Sequence, residues 1–400
     1  MPAPKQYSQP IPNKSMTITA TLIAGIPKSN YSLYHKVRFL VGDPTAFVAI
    51  HGGTDDHSMF IVRDIEMQRA RRDARADRIS CPADHTPESG LSGDRETATA
   101  QATAEYLINQ KVTTIKTDRT LPYIFAHHLL LRGLQIQYDA NLGVLERRQK
   151  DAEESAWLQQ SQSTTEEAMR LACELIANAD VNDQRQLVHE GKVLTSERVR
   201  SAIDIFLLER DYFNPKSIVA CGTTGADCHD YGSGPLYTEQ PVIVDIFPQN
   251  RKTLYYGDCT RTVVHGQISD PLVRMHMAVC EANAAGCAAA RPGVTGEDVH
   301  RATIQVILEN GFQTGLPTES DPDSFCSMTH GTGHAVGLEV HEPPLLDFGG
   351  PELLLGDCLT IEPGLYCRAL GGIRVEDMII LTEQGNNNLN SLYTGLDWKT

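Results

Sequence analysis

Residues 242–258 read VIVDIFPQNRKTLYYGD: an apolar run, a polar centre and a second run with aromatic residues. This pattern predicts a β-hairpin whose two strands are joined at Gln249–Lys252. With that connection Asp245 lies opposite Asp258 on one face, and their Cβ atoms are about 5 Å apart. Carboxylates placed so closely repel each other unless a cation or a shared proton offsets the repulsion. The hairpin therefore predicts a metal ion.

A second hairpin repeats this arrangement near the end of the chain. Glu362 and Glu376 flank the turn-forming stretch Arg368–Gly372, in which the pair Gly371-Gly372 suits a turn. The pairing predicted from that turn places Glu362 opposite Glu376. Four acidic groups are thus expected to converge in two pairs.

Between the two hairpins lies HGTGHAVGLEVHE, residues 330–342, which is rich in histidine and glycine. Imidazoles are metal ligands, and glycines let the backbone approach a site closely. Four carboxylates and one imidazole suit two divalent ions of the Mn, Co, Fe or Zn type, whereas Mg or Ca rarely recruits histidine. Two such ions can share a water and lower its pKa, which is hydrolytic chemistry.

The rest of the chain predicts the organisation around this site. Its 400 residues, 41% hydrophobic, favour two domains. Short apolar runs alternate with helical patterns up to residue 148, which predicts an N-terminal α/β domain (1–148) before a second domain (149–400). Ser80–Gly93 combines proline, glycine, serine and charge, so we expect a surface excursion there.

The net charge and the amino-acid composition argue against some classes of binding partner. A formal net charge of -16 argues against nucleic acid and anionic membranes as partners. No apolar stretch is long enough to cross a bilayer, and the polar, proline-rich start does not resemble a signal peptide. The ten cysteines show no CxxC spacing, so reduced thiols in the cytoplasm are expected.

Four stretches together resemble the pita-bread metallopeptidases, the family of methionine aminopeptidase, aminopeptidase P and prolidase. They are YGDCTRT (256–262), HGTGH (330–334) continuing to VHE (340–342), TIEPGLY (360–366) and GIRVED (372–377). The resemblance covers roughly residue 144 to the C-terminus. It implies an α/β (α+β) protein with an N-terminal creatinase-like α/β domain followed by a catalytic pita-bread domain.

The resemblance also implies a role for each candidate site residue. Asp245 binds one metal ion, Asp258 and Glu376 bridge both ions, and His334 and Glu362 complete the second. Glu362 also lies near the attacking water. His341 and His229 are expected beside the scissile bond, where they stabilise the substrate carbonyl or the tetrahedral intermediate, and His330 is expected to line the same pocket.

Within the family, Arg374 and the large N-terminal domain resemble aminopeptidase P and prolidase, because methionine aminopeptidases lack both. This implies a manganese-dependent Xaa-Pro peptidase that binds short proline-containing peptides. Arg374 is expected at the substrate site, and a homodimer is expected, in which the N-terminal domain of the partner restricts access. The chain departs from the family after Asp245, where Ile246-Phe247-Pro248 replaces a small residue or glycine.

Two other functions remain open from the sequence. A creatinase-like enzyme would cleave another C–N bond without metal, using histidine. A non-catalytic pita-bread protein would bind peptides without cutting them. Relatives of the second kind typically have incomplete ligand sets, whereas all five candidate ligands are present here.

Overall fold

The computed structural model describes residues 18–53 and 55–399, and its contacts divide the chain into two units. The first unit ends at Arg147 and the second begins at Arg148. A short helix, α5 (Leu145–Arg148), spans the division. Within the described residues, no helix is both long and apolar enough to cross a membrane.

The first unit is a six-stranded mixed sheet with helices on both faces. The strand order is β4-β3-β2-β1-β5-β6. The strands are β1 Thr19–Gly25, β2 Thr45–His51, β3 Ser58–Ile61, β4 Arg78–Ser80, β5 Thr114–Thr117 and β6 Gln135–Tyr138. The helices are α1 Tyr31–Val37, α2 Met67–Asp73, α3 Arg95–Asn109 and α4 Tyr123–Leu131, with 3-10 turns at Asp64–Glu66 and Pro82–His85.

Alternating side chains explain why both faces of this sheet are covered. Leu22 packs into a core with Leu107 of α3 and Leu129 of α4. Its neighbour Ile23 packs into a separate core with Leu33 of α1. Successive residues of a strand point to opposite faces, so an uninterrupted apolar strand needs a helix layer on each side.

The stretch Ser80–Gly93 leaves the sheet as the sequence predicts, but part of it is packed. Cys81 is buried, and the 3-10 turn Pro82–His85 contacts α3. The His85 ring centroid lies 4.9 Å from that of Tyr106. The Ser80–Gly93 stretch therefore packs against helix α3 of the first unit.

The second unit combines long helices with several small sheets. Its helices are α6 Ala152–Ala177, α7 Ser196–Leu208, α8 Asp270–Ala289 and α9 Gly296–Glu309, with a 3-10 turn at Gly222–Ala226. Its first strands are β7 Asp180–Val181, β8 Leu187–His189, β9 Lys192–Val193, β10 Tyr212–Phe213, β11 Ile218–Cys221, β12 Pro241–Ile246, β13 Gln249–Asn250 and β14 Cys259–Val264. The remaining strands are β15 Gln313–Thr314, β16 Cys326–Met328, β17 Gly333–Ala335, β18 Glu342–Leu346, β19 Cys358–Ile361, β20 Gly364–Cys367, β21 Gly371–Arg374, β22 Asp377–Thr382 and β23 Gly385–Asn388.

Three of the sheets carry the candidate site. Their strand orders are β11-β12-β14, β15-β16-β20-β21 and β18-β17-β19-β22-β23. Helix α6 packs along β12 and β14, where its apolar residues join the strands in one core. The sheets thus have a helical support directly behind the strands with the aspartates.

Helix α6 begins with a capping box. The Asp151 side chain accepts a hydrogen bond from the Glu154 N–H at 2.8 Å, and the Glu154 side chain accepts one from the Asp151 N–H at 2.9 Å. These bonds satisfy two backbone donors that the helix cannot pair itself. The start of the support helix is fixed in this way.

Replacing Asp151 with Ala should lower the free energy of unfolding by about 1 kcal/mol, because one N-terminal donor of α6 loses its partner. Urea titration followed by circular dichroism measures this change. Arg170→Ala, at an exposed position in the interior of the same helix, is the matched control and should cost less. Equal effects of both substitutions would contradict the capping role.

Candidate metal centre

The first predicted hairpin is present, but its register differs from the prediction. Asp245 pairs with Thr260, not with Asp258. The turn lies two residues farther on, around Arg251–Leu254, because the Asn250 side chain accepts hydrogen bonds from the N–H groups of Lys252 and Thr253. A shift of two residues preserves the side-chain faces, so Asp245 and Asp258 are diagonal neighbours on one face.

The second hairpin has the predicted register. Gly364 pairs with Arg374 on one side of the glutamates, and Ile361 pairs with Asp377 on the other. Both pairings place Glu362 opposite Glu376. The two acids lie where the hairpin passes from one sheet into the next, since β19–β22 and β20–β21 belong to different sheets.

The glycine pair of this hairpin does not form the predicted turn. Gly371 and Gly372 lie in strand β21, and the connection is Arg368–Leu370. A Cβ atom on Gly372 would lie 2.0 Å from the Gly225 carbonyl oxygen, and one on Gly371 would lie 2.3 Å from that of Gly222. The pair therefore permits close packing against the 3-10 turn Gly222–Ala226.

Backbone and side-chain hydrogen bonds join the two hairpins. The Glu376 N–H donates to the Thr260 carbonyl at 3.1 Å. The Arg374 N–H donates to the Thr262 hydroxyl at 3.0 Å, and that hydroxyl donates to the Arg374 carbonyl at 3.1 Å. These bonds bring the aspartate strands and the glutamate strands to one place.

Strand β17 adds the imidazole of His334. Its Nε2 lies 3.3 Å from Glu362 Oε1 and 3.9 Å from Asp258 Oδ2. Gly333 lets this strand approach closely, because a Cβ atom there would lie 2.1 Å from the Thr360 carbonyl oxygen. Asp258, His334 and Glu376 each offer one ligand atom, and these atoms lie within 4.8 Å of one another.

All of the predicted site residues line one cavity of about 490 Å³. They are Asp245, Asp258, His334, Glu362, Glu376, His229, His330, His341 and Arg374. Asp245 Oδ1 is buried and has no hydrogen-bond partner among the described residues. A buried oxygen without a partner, beside further carboxylates and an imidazole, fits a bound divalent cation.

The pKa shifts of the clustered carboxyl groups also favour a bound cation. Burial, followed by repulsion from neighbouring carboxylates such as Glu376, raises the pKa of Asp258 well above its ordinary value. Burial and the charges of Glu362 and Asp245 do the same to the pKa of Glu376. Burial raises the pKa of Asp245, although Arg374 opposes the shift. Without a cation these groups therefore hold their protons to higher pH than exposed carboxyls do.

The pKa of Glu362 shifts in the opposite direction from those of the other three acids. Burial would raise its pKa, but the hydrogen bond and charge of His334, with His330 and Arg374, outweigh burial and lower the pKa to about 2. Glu362 is therefore ionised at neutral pH.

Two residues with no assigned role in the sequence organise the cavity wall. The Tyr366 hydroxyl lies 2.7 Å from His330 Nε2 and accepts from Arg374 Nη1 at 3.0 Å. Thr260 donates to Glu376 Oε2 at 2.8 Å and accepts from Arg374 Nε at 3.2 Å. Strand alternation could have indicated both residues, because Thr260 shares a face with Asp258 and Tyr366 lies four residues beyond Glu362 on the same face.

Arg374 contacts an aspartate in addition to lining the cavity. Its Nη2 donates to Asp245 Oδ2 at 2.7 Å, and its Nη1 donates to the Cys228 carbonyl at 3.2 Å. The guanidinium therefore occupies one oxygen of Asp245, while the other, Oδ1, has no hydrogen-bond partner in the part of the chain that the structure describes.

His229 and His341 lie at the exposed side of the cavity. The ring centroid of His341 is 4.3 Å from that of His334, with the rings nearly perpendicular. Burial and the neighbouring His334 lower the pKa of His341. The His229 N–H donates to the Asp227 carboxylate at 2.9 Å, which fixes the backbone of its loop.

Comparisons with known proteins identify similar sequences and folds. The sequence profile of metallopeptidase family M24 matches residues 157–383 of this chain. The Xaa-Pro dipeptidase of Pyrococcus furiosus is 30% identical over 227 residues, which are 56% of this chain and 60% of that protein. The peptidase YqhT of Bacillus subtilis is 36% identical over 173 residues, 43% of this chain and 45% of that protein. The chain thus spans about half the length of the curated relatives that it matches.

Among solved structures, the Xaa-Pro dipeptidase from Bacillus anthracis superposes with a TM-score of 0.76 at 22% identity, over 95% of this chain and 94% of that one. At this identity the likeness concerns the fold, and it confirms the predicted α/β architecture with a pita-bread domain.

Metal binding to this cluster should release protons, because the raised pKa values of Asp258 and Glu376 favour their protonated forms and these carboxyls must be ionised to bind a cation. Titrating Mn²⁺ into metal-free protein by calorimetry, in two buffers of different protonation enthalpy, should give different apparent enthalpies. The affinity should also fall as the pH is lowered. The Asp258→Asn variant should release fewer protons, and a buffer-independent enthalpy would contradict the prediction.

Proposed function

Because the chain belongs to metallopeptidase family M24, we propose that it hydrolyses the peptide bond preceding proline in short peptides, with two divalent metal ions. The single observation that supports this most directly is the convergence of the five candidate ligands in one cavity. The names of similar proteins, Xaa-Pro dipeptidase and Xaa-Pro aminopeptidase, support the choice of substrate.

We propose that these five residues would hold two divalent ions: Asp245 would serve the first, His334 and Glu362 the second, and Asp258 and Glu376 would be shared by both. The proximity of Asp258, His334 and Glu376 supports a place for an ion among these three residues. When bound, two such ions activate a shared water and stabilise the oxyanion that forms on a carbonyl. Manganese is the proposed metal, and cobalt, iron and zinc suit the same ligand set.

The side chains of the protein have complementary tasks in this proposal. The ionised carboxylate of Glu362 accepts a proton from the attacking water. His341 and His229, at the exposed side, donate hydrogen bonds to the substrate carbonyl as negative charge develops. His330 is held by the Tyr366 hydroxyl and lines the same pocket. Arg374 anchors Asp245 and contributes positive charge.

The apolar wall of the cavity suits proline. Ile218, Tyr231, Phe247, Val340 and Leu345 line it beside the acidic cluster. A proline ring has no N–H to satisfy and gains from burial against such a surface. Phe247, which replaces the small residue expected after the first aspartate, supplies part of this wall.

The setting of the enzyme is also a proposal. We place it in the cytoplasm as a homodimer, with residues 1–148 controlling access and joining the subunits and residues 149–400 performing catalysis. All ten cysteines are free, which is consistent with a reducing compartment.

The two alternative functions have less support. A creatinase-like hydrolase without metal does not need carboxylates gathered around a histidine. A non-catalytic peptide-binding protein does not need them either. The acidic cluster found here favours the peptidase over both.

The proposed function predicts activity that depends on metal and on proline. Metal-stripped protein should not cleave Xaa-Pro dipeptides or Xaa-Pro-Yaa tripeptides, and activity should return with Mn²⁺ or Co²⁺. Product release, measured by chromatography, compares dipeptides with tripeptides and each ion with the others. Matched peptides with alanine in place of proline are the control, and equal cleavage of both would contradict the substrate assignment.

The variant Glu362→Gln should fold but lose at least about 10²-fold in kcat, because the amide cannot take a proton from water. Hydrolysis of an Xaa-Pro dipeptide at saturating Mn²⁺ measures the loss. Glu383→Gln, at an exposed position, makes the same chemical change and should retain activity. A fully active Glu362→Gln variant would reject this role.

A further inference from the structure

A glutamine behind the acidic cluster clamps one of the candidate ligands. Gln162 lies on α6 and is completely buried. Its Oε1 accepts a hydrogen bond from the Asp258 N–H at 2.8 Å, and its Nε2 donates to the Asp258 carbonyl at 2.7 Å. Both backbone polar groups of Asp258 are therefore paired with a single side chain.

The same amide reaches the strand that follows Glu376. Gln162 Nε2 donates a second hydrogen bond to Asn390 Oδ1 at 2.9 Å, and that oxygen also accepts from the Met378 N–H at 2.8 Å. Met378 is two residues beyond Glu376. Gln162 and Asn390 thus connect the backbone at Asp258 to the strand that continues from Glu376.

Only an amide can make this set of contacts. Gln162 uses both of its N–H donors and its acceptor oxygen, so its hydrogen-bonding capacity is matched to its partners. A carboxylate of the same shape can accept from the Asp258 N–H but cannot donate to the Asp258 carbonyl. It would also add a negative charge behind an already acidic cluster.

We propose that Gln162, together with Asn390, is a positioning residue that fixes the spacing between Asp258 and Glu376 before any ion binds. The inference rests on the proposed metal-binding role of these two acids. When both acids are ionised to receive a cation, the repulsion between their carboxylates tends to separate them. The amide pair opposes that separation from the side away from the cavity, so the ligands need little rearrangement when a cation arrives.

The helix offers a matched control one turn farther on. Glu166 lies on α6, is buried, and accepts hydrogen bonds from the N–H groups of Ser391 and Leu392 at 2.8 and 2.9 Å. The substitutions Gln162→Glu and Glu166→Gln are both isosteric. Glu166→Gln keeps an acceptor oxygen for its partners, and the hydrogen bonds of Glu166 go to Ser391 and Leu392 and not to Asp258 or Glu376.

The experiment measures the dissociation constant of Mn²⁺ by calorimetry for the metal-free wild type and both variants, well below their unfolding temperatures. Gln162→Glu should weaken Mn²⁺ binding about 10- to 100-fold, the usual effect of losing a group that orients a ligand. Glu166→Gln should stay within about twofold of the wild type. At saturating Mn²⁺, KM for an Xaa-Pro dipeptide should be unchanged in Gln162→Glu.

A second variant keeps the proposal testable if Gln162→Glu does not fold. Asn390→Leu leaves the clamp on Asp258 but removes the link to Met378, and it should weaken Mn²⁺ binding by several-fold. Binding as tight as in the wild type in either folded variant, or equal weakening in Glu166→Gln, would overturn the proposal. A wild type that binds no Mn²⁺ would also overturn it. A wild type that binds Mn²⁺ without cleaving Xaa-Pro peptides would overturn the proposed function alone.

Discussion

Repulsion between buried carboxylates is the constraint on which the second unit of this protein depends. Asp245, Asp258, Glu362 and Glu376 face a single cavity, and burial together with their mutual charges raises the pKa of three of them. Such an arrangement is unfavourable for an isolated protein, so it must be stabilised by the surrounding structure or by a cation. The hydrogen bonds between the two hairpins and the buried Arg374 provide structural stabilisation, and a pair of divalent ions would provide the rest.

Much of this arrangement could be read from the sequence because β-structure has a period of two. The alternation around Asp245 and around Glu362 assigned the acids to the correct faces. An error of two residues in the first hairpin left those faces unchanged. The predicted register of the first hairpin was wrong because the Asn250 side chain, which accepts hydrogen bonds from two backbone N–H groups, sets the turn. The earlier polar residues do not set it. In the second hairpin the predicted register was correct, although the predicted turn extended two residues too far, into strand β21.

Other features could not be derived from local patterns, because they depend on contacts between distant segments. Gly371 and Gly372 suit a turn by type, yet they are needed in a strand because the 3-10 turn near Gly225 lies against them. Strand alternation places Tyr366 on the face of Glu362, but its contact with His330 depends on a separate segment of the chain. Gln162 likewise lies in a polar helical stretch, and only the packing of α6 reveals that it contacts Asp258.

The close approach of the 3-10 turn to β21 has a consequence for how the cavity can change shape. The loop that carries His229 follows this turn directly, and the turn rests on the backbone of the strand that leads into Glu376. With no side chains between them, neither segment can slide or tilt without displacing the other. Any opening of the cavity that moves this turn would therefore also move β21, the strand that leads into Glu376.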